Sequence, residues 1–175
     1  MTFYAFSTEN WKRPKREVDA IMRLLSVYLD ECKKELEVSP MRMVFLGDKS
    51  VFSDALRKKM EELEEISKEN KYIVNIAMNY GGRDEIVYAA NRLIAEGKTR
   101  ITEKDMSSAL YTRESPEVDM IVRTGGDLRI SNFLLWQAAY AELYFTDKFW
   151  PDITEEDVDL MLEAFNNRKR RFGGV

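Results

Sequence analysis

Histidine is absent from the 175-residue chain. That removes the usual general base near neutral pH and the commonest transition-metal ligand. Ser-His-Asp triads, Cys-His dyads and zinc sites are excluded with it. Any metal chemistry must rest on oxygen donors, which favours magnesium or a similarly hard ion. A single cysteine, Cys32, allows no intrachain disulfide and fits a reducing compartment. Its place on an apolar helical face reads as packing. No apolar run approaches the roughly 20 residues of a membrane-spanning helix. The opening Met1–Phe6 reads as a buried strand rather than a leader. Basic excess is also missing: the net charge of −4 weighs against broad nucleic-acid binding.

Hydrophobic residues make up 45% and charged residues 33%, the balance of an ordinary globular domain. The length suits one domain over residues 1–175, since no linker, repeat or low-complexity tract interrupts it. Short apolar runs predict strands at 3–6, 41–46, 72–79, 119–123 and 142–146. Between them, Val18, Ile21, Met22, Leu25, Tyr28, Leu29, Cys32 and Leu36 recur at helical spacing. A second helix should start at Ser53, with Leu56, Met60, Leu63 and Ile66 on one face. Residues 83–96 should form a helix closed by Gly97, and 102–111 and 132–139 shorter ones. Thr154 and Asp157 form an acidic capping box, with Val158, Met161, Leu162 and Phe165 as the last helix's apolar face. Strand alternates with helix, which predicts an α/β fold with a mainly parallel sheet flanked by helices.

Open α/β sheets bind ligands at the carboxyl ends of their strands. Ser7, Glu9, Asn10 and Arg13 follow the first strand, Asp48 the second, Asn79 and Arg83 the third. Arg123, Asp127, Arg129 and Ser131 follow the fourth. Arginines, hydroxyls and glycine amides together suit a phosphate or diphosphate. Each feature also has a plainer reading. Gly125-Gly126 is a turn, Asp48 a turn residue, Arg123 a structural ion pair, and Trp11 a core side chain. The basic run Arg168–Arg171 is a solvated helix end. Glu142 begins a strand, and nothing in its spacing makes it a ligand.

Four stretches resemble the cis-prenyltransferases of the undecaprenyl diphosphate synthase type. They are Tyr4-Ala5-Phe6-Ser7-Thr8-Glu9-Asn10-Trp11-Lys12-Arg13-Pro14, Asn79-Tyr80-Gly81-Gly82-Arg83-Asp84-Glu85-Ile86, the run from Asp119 to Asp152, and Arg170-Arg171-Phe172-Gly173-Gly174. Within the third lie Arg123-Thr124-Gly125-Gly126-Asp127-Leu128-Arg129-Ile130-Ser131 and Glu142-Leu143-Tyr144-Phe145. The resemblance implies repeated cis condensation of isopentenyl diphosphate onto an allylic diphosphate such as farnesyl diphosphate, with Mg2+. The product would be a polyprenyl diphosphate of the kind that carries cell-wall precursors. It implies an α/β sheet beside an apolar tunnel, and a homodimer in the cytoplasm or at the inner face of the membrane, where the product associates.

By the same resemblance Asn10 assists proton removal. Ser7, Thr8, Glu9, Trp11 and Arg13 line the allylic site. Arg123, Arg129, Ile130 and Ser131 hold isopentenyl diphosphate, and Glu142 is a magnesium ligand. Arg171 and Gly173 belong to a tail that reaches across the dimer. Members of the family place an Asp-Gly-Asn-Gly-Arg-Trp-like loop, with a magnesium-binding aspartate, well before the Ser-x-Glu-Asn-Trp motif. Six residues precede Ser7 here. The expectation is therefore a chain missing that loop and the family's first strand and helix, with little or no activity by itself. The alternatives are a non-catalytic partner subunit and a general diphosphate-binding module.

Overall fold

Thr2–Ser7, Met41–Leu46 and Tyr72–Tyr80 form strands β1, β2 and β3, hydrogen-bonded in the order β1-β3-β2 and parallel throughout. The computed structural model describes residues 1–36 and 38–168. It divides into two compact units, Met1–Ser115 and Pro116–Val175.

In the first unit the central strand is the most buried, as expected of a strand covered on both faces. Helix α1 (Lys15–Leu36) and helix α2 (Asp54–Ser67) pack on one side. The apolar spacing of α1 predicts its inward face: Val18, Leu29 and Leu36 are buried, and Ile21, Met22, Leu25 and Cys32 pack against them. Tyr28 departs from that expectation and is exposed. In α2, Ser53 Oγ accepts from the Leu56 amide, and Leu56, Met60 and Leu63 join the core with Phe6, Phe45, Phe52 and Met78. Ile66, placed on the same face by spacing, is exposed. Each buried side chain of this size contributes about 1.5–3 kcal/mol.

β2 is an edge strand, and an open edge invites pairing with other chains. Side chains of α2 cover its donors. Ser67 Oγ accepts from the Met43 amide at 3.0 Å, and Glu64 Oε1 from the Phe45 amide at 2.8 Å. Helix α3 (Gly82–Ala95) starts directly after β3, and Gly97 at φ +87° follows its end. Helix α4 (Glu103–Ala109) is capped reciprocally by Thr102 and Asp105.

In the second unit β4 (Met120–Arg123) pairs in parallel with β5 (Glu142–Phe145), and helix α5 (Glu155–Asn166) carries the anticipated Thr154–Asp157 capping box. Two expectations need correction here. Residues 132–139 do not form a helix; a single 3-10 turn covers Gln137–Tyr140. Ser131, Asn132 and Leu134 take φ of 49°, 62° and 45°, which breaks any right-handed run. On α5, Met161 is buried but Val158 and Leu162 are exposed, so the apolar face is narrower than its spacing suggests.

Candidate active site

In the first unit the parallel strands bring the segments after Ser7, Leu46 and Asn79 to one end of the sheet. Beyond Ser7 the chain enters a 3-10 turn, Thr8–Lys12. Asn10 Oδ1 accepts from the Ser7 amide at 2.9 Å and closes the turn. The Thr8 hydroxyl donates to Glu9 Oε2 at 3.1 Å. Trp11 stands edge-on to Phe6, with ring centroids 5.1 Å apart, and leans on Phe52 at 6.0 Å. It is 38% exposed, so it is not the core side chain that spacing favoured. Arg13 is exposed, with Glu17 3.9 Å away.

A residue without an assigned role joins the three strand ends. Trp11 Nε1 donates to Asn79 Oδ1 at 2.8 Å, and Asn79 Nδ2 donates to the Asp48 carbonyl at 2.9 Å. Asn79 does this at φ +47°, a conformation that asparagine tolerates better than most residues. The matching turn at the end of β2 admits no side chain. Gly47 has φ +112°, and a Cβ there would stand 2.1 Å from the Met78 carbonyl oxygen. Asp48 is a turn residue, as expected, and its side chain accepts from the Ser50 amide.

Behind this end lies a buried polar chain. The Tyr4 hydroxyl donates to the Tyr80 carbonyl at 3.0 Å, and the Tyr80 hydroxyl to Glu85 Oε2 at 2.5 Å. Glu85, fully buried, also accepts from the Tyr111 amide at 2.9 Å. Burial, reinforced by the Glu9 charge, pushes the Tyr4 phenol up to about 12. Burial likewise raises the Tyr111 phenol, with Tyr88 and Asp84 adding to it. Both stay protonated at neutral pH, and Tyr4 acts as a donor.

The second unit gathers the arginines. Arg123, at the end of β4, donates through Nη1 to Ser131 Oγ at 3.0 Å and through Nη2 to Asp127 Oδ2 at 2.9 Å. Arg129 Nη2 donates to the same Asp127 oxygen at 2.5 Å. Ile130 is half-buried, and its carbonyl accepts from the Phe133 amide. The expected glycine contribution needs correction. The Gly125 and Gly126 amides donate to the Lys148 and Thr146 carbonyls at 2.8 and 3.0 Å, so neither is left to hold a phosphate. Glu142 opens β5 opposite Met120, three residues from the Arg123 level, or about 10 Å along the strand. Its Oε2 accepts from Arg168 Nη1 at 2.6 Å. Among the described residues, no group of three His, Cys, Asp or Glu side chains is placed to hold a metal. A half-buried carboxylate still fits magnesium, which commonly takes one or two protein carboxylates beside phosphate oxygens and water. Arg171 and Gly173 lie outside the described residues.

Residues 1–173 match the family described as "Putative undecaprenyl diphosphate synthase". The chain belongs to that family. It is 49% identical over its whole length to an isoprenyl transferase of Fusobacterium nucleatum, of which the match covers 76%. It is 45% identical, with the same coverage, to a ditrans,polycis-undecaprenyl-diphosphate synthase of Pasteurella multocida described as (2E,6E)-farnesyl-diphosphate specific. The crystal structure of a probable undecaprenyl diphosphate synthase from Campylobacter jejuni superposes with a TM-score of 0.92 at 40% identity, covering 98% of this chain and 82% of that one. The fold is thus the family's α/β fold, parallel strands with flanking helices, and the protein is a prenyltransferase by family.

Sequence reasoning passed over the roles of Asn79 and Glu85 in this region. An asparagine ending a strand before Gly-Gly signals a left-handed turn. Nothing in the string marks Glu85 as buried.

Proposed function

We propose that the protein condenses isopentenyl diphosphate onto an allylic diphosphate, farnesyl diphosphate in the first instance, with cis geometry and repeatedly. The observation that carries this reading is the pairing of Arg123 and Arg129 around Ser131 at the end of β4. Two guanidinium forks and a hydroxyl match the oxygens of a diphosphate in shape and charge. They hold isopentenyl diphosphate so that its double bond can attack. The turn holding Ser7, Thr8, Glu9, Asn10 and Trp11, with Arg13 after it, receives the allylic diphosphate. The Trp11 ring offers an apolar wall. Asn10, fixed through Oδ1 by the Ser7 amide, assists loss of the proton that leaves the new double bond. Glu142 would hold magnesium, which supplies positive charge to the departing diphosphate. Positioning and neutralisation of that leaving group carry the rate, with no need for histidine.

Homodimerisation and association of the polyprenyl product with the membrane surface belong to the same reading. Among the described residues no helix is long and apolar enough to cross a membrane.

The test is incorporation of labelled isopentenyl diphosphate onto farnesyl diphosphate with magnesium, for the chain and its Arg123→Ala variant. Any product formed should be long-chain, and the variant should raise KM for isopentenyl diphosphate about 10- to 100-fold, the worth of one charged hydrogen bond. An unchanged KM in the variant would remove Arg123 from the site.

A further inference from the structure

We infer that Asp127 is an internal stand-in for the substrate's diphosphate. Its carboxylate occupies the arginine pair in the free protein and makes that pair selective for diphosphate over monophosphate. The inference rests on the proposed role of Arg123 and Arg129.

One oxygen, Asp127 Oδ2, accepts from Nη2 of both Arg123 and Arg129. The side chains are partly to well exposed: 29% for Arg123, 40% for Asp127 and 64% for Arg129. At such exposure an ion pair adds little to stability, while two guanidiniums converging on one point repel. The arrangement therefore makes better sense as an anion site than as a structural brace. The backbone is shaped for it. Gly125 and Gly126, at φ +86° and +80°, anchor their amides on the Lys148 and Thr146 carbonyls and turn Asp127 back over Arg123. At the other end, Ser131 sits at φ +49° to meet Arg123 Nη1. Left-handed non-glycine residues cost free energy and persist where a site requires them.

An incoming anion must replace this carboxylate. A monophosphate would gain little, since it substitutes one compact anion for another. A diphosphate carries more charge and a longer row of oxygens, so it can satisfy both forks at once. Asp127 thus lowers affinity for every anion, and for the small ones most.

Calorimetric titration of the full chain with inorganic pyrophosphate and with inorganic phosphate, without magnesium and at fixed salt, tests this. Asp127→Asn keeps an acceptor oxygen and removes the charge. Asp127→Ser is the second variant should the first fold poorly, and Arg123→Ala is the control. The expected result is roughly tenfold tighter pyrophosphate binding in Asp127→Asn, a larger gain for phosphate, and so a smaller preference between them. If wild type and the charge-removing variants bind neither anion, the arginine site itself fails and the inference with it. If wild type binds pyrophosphate through Arg123 but the Asp127 variants bind equally or more weakly, the site stands and the role given to Asp127 is overturned. A purely structural Asp127 would leave the pyrophosphate-to-phosphate preference unmoved.

Discussion

The two units reach order by different means. Met1–Ser115 contains a three-stranded parallel sheet and a continuous apolar cluster from Phe6 to Met78. In the second unit the fully apolar interior among the described residues is Ile121, Leu134 and Met161, and the strands are four residues each. Its shape comes from left-handed turns and from backbone hydrogen bonds such as those of Gly125 and Gly126 to the Lys148 and Thr146 carbonyls. Candidate site residues in the first unit hang on the core, through Trp11, Phe6 and Phe52. Those in the second hang on each other. Substitutions should therefore harm folding in the first and binding in the second.

The largest expected effect is at Gly47. Gly47→Ala drives a Cβ into the Met78 carbonyl and strains φ, and should cost about 3 kcal/mol or more, read as a lowered Tm. An unchanged Tm would mean that the strand ends can separate freely. Next in size is a matched pair. Met60→Ala empties a fully buried position and should cost about 2–5 kcal/mol, whereas Met161→Ala, whose neighbours Leu160 and Leu162 are exposed, should stay at the low end of that range. Equal losses by denaturant titration would break the contrast between the units.

The smallest effect should be shared. Thr102–Asp105 and Thr154–Asp157 are the same capping box, one in each unit, each with a lysine on the aspartate. Lys148 and the Thr154 contacts lower the Asp157 carboxyl to about 2, and Lys98 and Thr102 lower Asp105 further still. Both pKa values are depressed in the fold. Their stabilisation is present above the ordinary aspartate value near 4 and is lost as pH falls through the folded value. Asp157→Asn and Asp105→Asn should each flatten the acid limb of the stability curve by a similar small amount. A large difference between them would show that the units titrate differently.

Much of this was legible beforehand, for local reasons. β2 lies where its apolar run predicts, and β1 and β3 within a residue or two, because each run is bounded by polar turns. Thr154 and Asp157 announced a helix start because capping is a three-residue event. The stretch after Ser131 misled because its composition suits a helix, while its backbone takes left-handed angles that no pattern of side chains encodes. At the site, Arg123, Arg129 and Ser131 could be grouped by sequence proximity. Asn79 joining Trp11 to Asp48 could not, since those partners are 68 and 31 residues away. The Glu142–Arg168 pair, 26 residues apart, was hidden for the same reason.

The parallel order β1-β3-β2 also has a history in time. Next to β1, the Met1 nitrogen donates to the Ile73 carbonyl, 72 residues on. At roughly 5–20 residues per second, a ribosome finishes the first strand about 4–14 seconds before it finishes the neighbour that strand needs. During that interval Phe3, Tyr4 and Phe6 lack their β3 partner, so the yield of folded protein should depend on translation speed and on chaperones that shield β1.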